Sequence, residues 1–191
     1  MENDRRTRRT KKLLTEAFIE LLTQKKVTEI SIKELCEMAD INRGTFYLHY
    51  ADIYDLKQQL EDEIMAQLEE IVLNHSSLQN SNDSYLLFLD LFRFSQKNAA
   101  FFKAFLGPHG DIASLNKMQT LFKEKYLAVL CKSQTPQPPV AFEYSYDFIA
   151  SGFTGLVKNW LLTDNQPSPE EMAKLLNKIV YDGLPSLLAI P

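Results

Sequence analysis

Leu56, Leu60, Ile64, Leu68 and Val72 recur at a steady four-residue step, with Gln58, Asp62 and Glu70 between them. A strand would put those polar residues on the same face as the leucines. A helix turns them to its other side, so the period dictates a long amphipathic helix. Leu14, Ala17, Phe18, Leu21 and Leu22 repeat the pattern at three- and four-residue steps, which predicts a helix over about 7–25. No segment alternates convincingly at period two. The fold class expected is all-α.

Boundaries follow from capping chemistry. The stretch KKVTEI interrupts the first period. Ser31 then stands three residues before Glu34, a capping-box spacing, and Ile32, Leu35, Cys36 and Ala39 continue as a short second helix. ADI leaves room only for a tight turn. Asn42 can cap a third helix, with Phe46 facing inward toward Leu35 and Phe18. The long fourth helix opens at Asp52, with Asp55 three residues on and Glu61 and Glu69 on its polar side, and runs to about 75. Further helices are predicted at about 84–96, 98–106, 112–132, 140–163 and 169–183, the last with Ser168 as cap and Pro169 in the first turn.

Composition excludes several classes. With 45% hydrophobic and 24% charged residues, the 191-residue chain is of ordinary globular type. It has no apolar run of membrane-spanning length and no secretory leader, so no membrane association and a cytoplasmic location are expected. Cys36 and Cys131 are far apart, which suggests reduced thiols, and the three histidines show no metal-ligand spacing with them. No metal and no cofactor are expected. Neither a nucleophile–base constellation nor a phosphate-cradling glycine loop is present, and the one-turn pair Glu143 and Asp147 reads as a helix face, so no enzyme is expected.

The net charge is −4, yet residues 1–12 carry six basic and two acidic side chains, a local +4, while residues 61–191 sum to −5. A basic arm on an acidic body suits an end that meets a polyanion; a solvated, frayed terminus is the alternative.

The stretch INRGTFYLHY, residues 41–50, carries this further. Two short helices joined by a three-residue turn form a helix-turn-helix, whose second helix must enter a major groove roughly 12 Å wide. Gly44 costs a helix about 1 kcal/mol against alanine, and close approach to DNA is a reason to accept that. Arg43 can give two hydrogen bonds to a guanine edge, Thr45 can touch bases, and Tyr47 and His49 can bond phosphates.

Residues 7–56, and above all INRGTFYLHY followed by DIYDL, closely resemble the N-terminal domain of TetR/AcrR-type bacterial repressors. The resemblance implies a DNA-binding domain over 1–52, a fourth helix at 52–75 that connects it, and a helical effector-binding and dimerisation domain over 53–191. It places Asn42, Arg43, Gly44, Thr45, Tyr47, Leu48 and His49 on the DNA-facing surface, and Thr28 and Ser31 at phosphates near the start of the second helix. Phe46 and Tyr50 match positions that hold the recognition helix to its domain. Many members have a phosphate-gripping lysine early in the fourth helix. Here that position is Ile53, and Lys57, one turn on, is the available substitute.

The region YSYDFIASGFTGLVKNWLL through MAKLLNKIV resembles the last two helices of these repressors, especially regulators of the dihydroxyacetone-kinase type. In the family these helices form a four-helix bundle with a second subunit, which places Ser151, Gly152 and Gly155 at a homodimer interface. Sixteen of the twenty-one aromatic residues lie beyond residue 60. Phe88, Phe92, Phe105, Phe122, Tyr126, Tyr144 and Phe148 are candidates for an effector pocket, with a packed core as the alternative for each. The function expected is a dimeric regulator bound to a palindromic operator in double-stranded DNA and released by an unidentified small-molecule effector. The alternative is a DNA-bound regulator or adaptor controlled by a protein partner.

Overall fold

The computed structural model describes residues 2–75, 81–112, 115–116, 119–120, 123, 140–163 and 167–182. Its helices are α1 (Glu2–Gln24), α2 (Ile32–Ala39), α3 (Arg43–Tyr47), α4 (Ile53–Asn74), α5 (Ser81–Lys97), α6 (Ala99–Phe105), α7 (Val140–Leu162) and α8 (Pro169–Asp182). A 3-10 turn at Val27–Glu29 occupies the break after α1. The fold is all-α, with no strand among the described residues. Among them, no helix is long and apolar enough to cross a membrane. The helix predicted over 112–132 lies largely outside the described residues.

Contacts divide the chain into two compact units. The first takes Met1–Met65 and also Ala100–Leu115. Its core is the predicted one: Leu14, Phe18 and Leu21 of α1 meet Leu35 of α2, Phe46 of α3 and Leu56 of α4, each at most 1% exposed. Burying a side chain of that size contributes about 1.5–3 kcal/mol, so these few residues supply much of what holds α1, α2, α3 and the front of α4 together.

The second unit takes Ala66–Ala99 and Asn116–Pro191. There α5 packs along α8 and also touches α7. Phe92, fully buried, meets Phe153 and Trp160 edge to face with ring centroids 5.2 and 5.4 Å apart. The Trp160 indole N–H donates to the Pro167 carbonyl at 2.8 Å, which satisfies its one polar group within the core. Helix α8 begins as its sequence predicts. Ser168 Oγ accepts from the Glu171 amide at 3.2 Å, and Glu171 Oε2 accepts from the Ser168 amide at 2.7 Å.

One sequence expectation for α4 fails. Glu61, assigned to its solvated side, is only 4% exposed and is ion-paired with Lys57 at 3.0 Å. A four-residue stripe locates one apolar face but does not show that neighbouring chain covers the flank as well.

Candidate nucleic-acid interface and helical groove

The turn between α2 and α3 is built by local hydrogen bonds. Asp40 ends α2 in the left-handed region, φ 53° and ψ 44°, a conformation that short polar side chains tolerate better than most. The Ile41 amide donates to the Cys36 carbonyl at 2.9 Å, and the Asn42 side chain accepts from the Gly44 amide at 2.8 Å. Asn42, expected on the DNA face, is exposed, but its Oδ1 is engaged in this cap. Burial pushes the Cys36 thiol up, with the Arg43 charge opposing it, so Cys36 is a core thiol.

Phe46 anchors α3. It is fully buried and packs against Tyr50 at 5.6 Å and edge to face with Tyr47 at 5.5 Å. Tyr50 itself is buried, hydrogen-bonded to Thr15, with the Lys11 ammonium 5.5 Å from its ring centroid. The other side of α3 is open. Arg43 and Gly44 are exposed, Tyr47 is 58% and Leu48 79% exposed, and Thr45 and His49 are half-buried. A Cβ at Gly44 would meet only Asn42 Oδ1, at 3.2 Å. Arg43 and Tyr47 of α3, and Leu48 directly after it, therefore face solvent around a bare backbone patch.

Thr28 and Ser31 are exposed ahead of α2, and Ser31 Oγ accepts from the Glu34 amide at 3.2 Å. The Glu34 carboxylate does not complete the expected capping box. Lys25 Nζ holds both of its oxygens, at 2.5 and 2.6 Å. Arg5, Arg6, Arg8 and Arg9 form exposed first turns of α1, so the basic arm is helical.

Lys57 is not on this face, which corrects its assignment as the substitute phosphate contact. Its side chain is 12% exposed, with Asp111 Oδ2 at 2.9 Å and Glu61 Oε1 at 3.0 Å. Burial alone would pull its pKa down, but the hydrogen bonds to Asp111 and Glu61 outweigh burial and raise it. Sequence order hid the partner, since Asp111 lies 54 residues away. Ile53 is buried, and Asp52 and Asp55 close the front of α4 by accepting from the Asp55 and Ala51 amides, each at 2.8 Å.

In the second unit, Tyr144, Phe148, Gly152, Gly155, Leu156 and Asn159 of α7 and Leu176, Ile179 and Val180 of α8 line an open groove of about 710 Å³. Ser151, Gly152 and Gly155 are exposed, and a Cβ at either glycine would find nothing within 4 Å.

The pocket candidates among the described residues have different local settings. Phe88 and Phe92 are buried in α5, and Phe105 stacks on Phe101 at 4.1 Å in the first unit. Tyr144 and Phe148, 72% and 70% exposed, line the groove instead. Phe122 and Tyr126 lie outside the described residues. Aromatic content does not show the helix phase that separates core from groove, because that phase depends on packing.

The family profile for the TetR-type transcriptional regulator C-terminal region matches residues 82–182, more than half of the chain. The chain belongs to the TetR family. That is a family of transcriptional regulators. One relative is the uncharacterized HTH-type transcriptional regulator YxbF of Bacillus subtilis strain 168, 31% identical over 85 residues. That match covers 44% of this chain and 21% of the relative, so the matched part spans about a fifth of the relative's length.

Two solved TetR-type structures have the same fold. NalD of Pseudomonas aeruginosa, the secondary repressor of the MexAB-OprM multidrug efflux pump, has a TM-score of 0.70 at 18% identity, covering 93% of this chain and 97% of its own. The dihydroxyacetone kinase operon activator DhaS has a TM-score of 0.57 at 15% identity, covering 93% and 97%.

Proposed function

We propose that this TetR-family protein is a cytoplasmic homodimer that binds a palindromic operator in double-stranded DNA and represses transcription until a small-molecule effector releases it. Residues 1–52 would bind DNA, and 53–191 would supply effector binding and dimerisation. The observation that carries the proposal is the open face of α3, with Arg43, Gly44, Tyr47 and Leu48 exposed on a helix fixed from behind by Phe46. One such helix buries too little surface for selective binding. Two related by a two-fold axis read half-sites one DNA turn, or a multiple, apart. The groove along α7 and α8, with Gly152 and Gly155 open to close approach, supports dimerisation through those helices. An effector coupling of about 1–3 kcal/mol suffices to change DNA affinity 5- to 150-fold.

The test is fluorescence anisotropy with the DNA upstream of the protein's own gene and a scrambled duplex, each at two salt concentrations. Selective binding that weakens in Arg43→Ala is the expected result. Equal, strongly salt-dependent binding to both duplexes overturns it, because it would reflect the basic first turns of α1 alone. A screen of small molecules for release of the duplex tests the effector. If none acts, the reading controlled by a protein partner takes its place. The closely packed Phe92, Phe153 and Trp160 favour that second reading, since they fill part of the second unit's interior.

A further inference from the structure

Leu48 is the most exposed large apolar side chain among the described residues, at 79%. It follows α3 directly with φ −74° and ψ −16°, so it continues the helical path and stands one turn past Gly44. Long side chains on a helix lean toward its N-terminus, over the preceding turn. By that tendency Leu48 is directed toward the turn that holds Gly44, the one residue of α3 that has no side chain. An added Cβ at Gly44 would meet only Asn42 Oδ1 within 4 Å, which leaves a hollow with room for a small apolar group.

Leu48 has no hydrogen-bonding group and cannot grip a phosphate or a polar base edge. In the major groove the apolar feature of a base edge is the 5-methyl of thymine. We propose that Leu48 is a specificity-determining residue that reads a thymine methyl group seated in the hollow over Gly44, so that each operator half-site carries a T·A pair there. This rests on α3 being the recognition helix. It adds an apolar reader to the polar ones already named, at the position where a longer polar side chain would instead select guanine or adenine.

The probe is a duplex library with a random core, selected on the wild-type protein. The winning duplex is then remade with deoxyuridine replacing thymine one position at a time, which removes only the methyl group. The expected result is one position per half-site where that change weakens wild-type binding roughly fourfold, the worth of one buried methyl. In Leu48→Ala the same change has no effect. Leu48 is exposed, so this variant keeps its fold, and the readout is a ratio within each protein. If no thymine matters, or if Leu48→Ala keeps the full sensitivity, the proposal is overturned. Loss of binding in Arg43→Ala would then show that α3 still reads DNA. If no duplex is selected, or Arg43→Ala binds the winner unchanged, the reading of α3 itself fails and this proposal with it.

Discussion

Lys57 Nζ lies 2.9 Å from Asp111 Oδ2 and 3.0 Å from Glu61 Oε1, with Lys57 12% and Glu61 5% exposed at their side chains. A lysine one turn into α4 is thus committed to tying that helix to the segment after α6, within the first unit. Removing one member of such a cluster strands a carboxylate, which costs more than the pair itself contributes.

Lys57→Met is therefore expected to destabilise the protein by about 2–4 kcal/mol, somewhat below the range for a wholly buried pair because Asp111 reaches water. Urea unfolding measures this. Lys57→Met with Glu61→Leu is expected to recover most of the loss, because no uncompensated carboxylate remains in α4. An unchanged midpoint in the single variant counts against the buried cluster.

The same variant decides whether Lys57 meets DNA. Removing one lysine from a phosphate reduces the slope of log affinity against log salt by about 0.9. With Lys57 turned inward, the folded Lys57→Met protein is expected to keep the wild-type slope. A slope lower by about one unit restores Lys57 to the interface.

Arg43 is exposed on α3 and Phe46 is buried beneath it, so they should fail differently. Arg43→Ala is expected to lose about 1–3 kcal/mol of operator discrimination and no stability. Phe46→Ala, at a fully buried site, is expected to cost about 3–5 kcal/mol of stability and to weaken binding to every duplex alike. Paired thermal melts and anisotropy titrations separate the two. Equal stability losses would mean that α3 is not oriented as described.

Gly155→Leu tests the α7 face. An added Cβ there meets nothing within 4 Å among the described residues, and leucine favours a helix over glycine by up to about 1 kcal/mol. The subunit is expected to stay helical by circular dichroism, while sedimentation shifts from twice 22.0 kDa toward 22.0 kDa. A dimer of undiminished strength would place the interface elsewhere.

Helix caps predict the acid limb of stability. The Ala51 amide, then Gln59, holds Asp55 below its ordinary 3.8. The Ser168 amide, then the Ser168 hydroxyl, holds Glu171 below 4.5. An acid with a depressed folded pKa adds stability above its unfolded pKa and loses it as pH falls through the lower folded value. Asp55→Ala and Glu171→Ala are expected to lower Tm at pH 7, with the gap to wild type closing as pH falls below about 4. A constant gap would show that neither carboxylate caps through its charge.

Much of the first unit was legible without coordinates. Ser31 and Asn42 there, and Ser168 in the second unit, each stand two or three residues from the amide they cap, so chain order alone places donor and acceptor together. Phe46 was predicted inward because a five-residue helix against two neighbours has only one face to bury. The family resemblance rested on the same local stretch, and residues 82–182 support it independently.

By itself, the sequence determined the helix periods, the caps, the all-α class and the open face of α3, because all of these depend on bonds and faces within one or two turns. The tertiary structure alone decided that Glu61 and Lys57 are buried, that residues 100–115 join the first unit, and that Tyr144 and Phe148 line a groove while Phe92 fills a core. The physical reason is the same in each case. Period shows which side of a helix is apolar, whereas the burial of its flanks depends on which distant segment packs there, as Asp111 does against Lys57 across 54 residues.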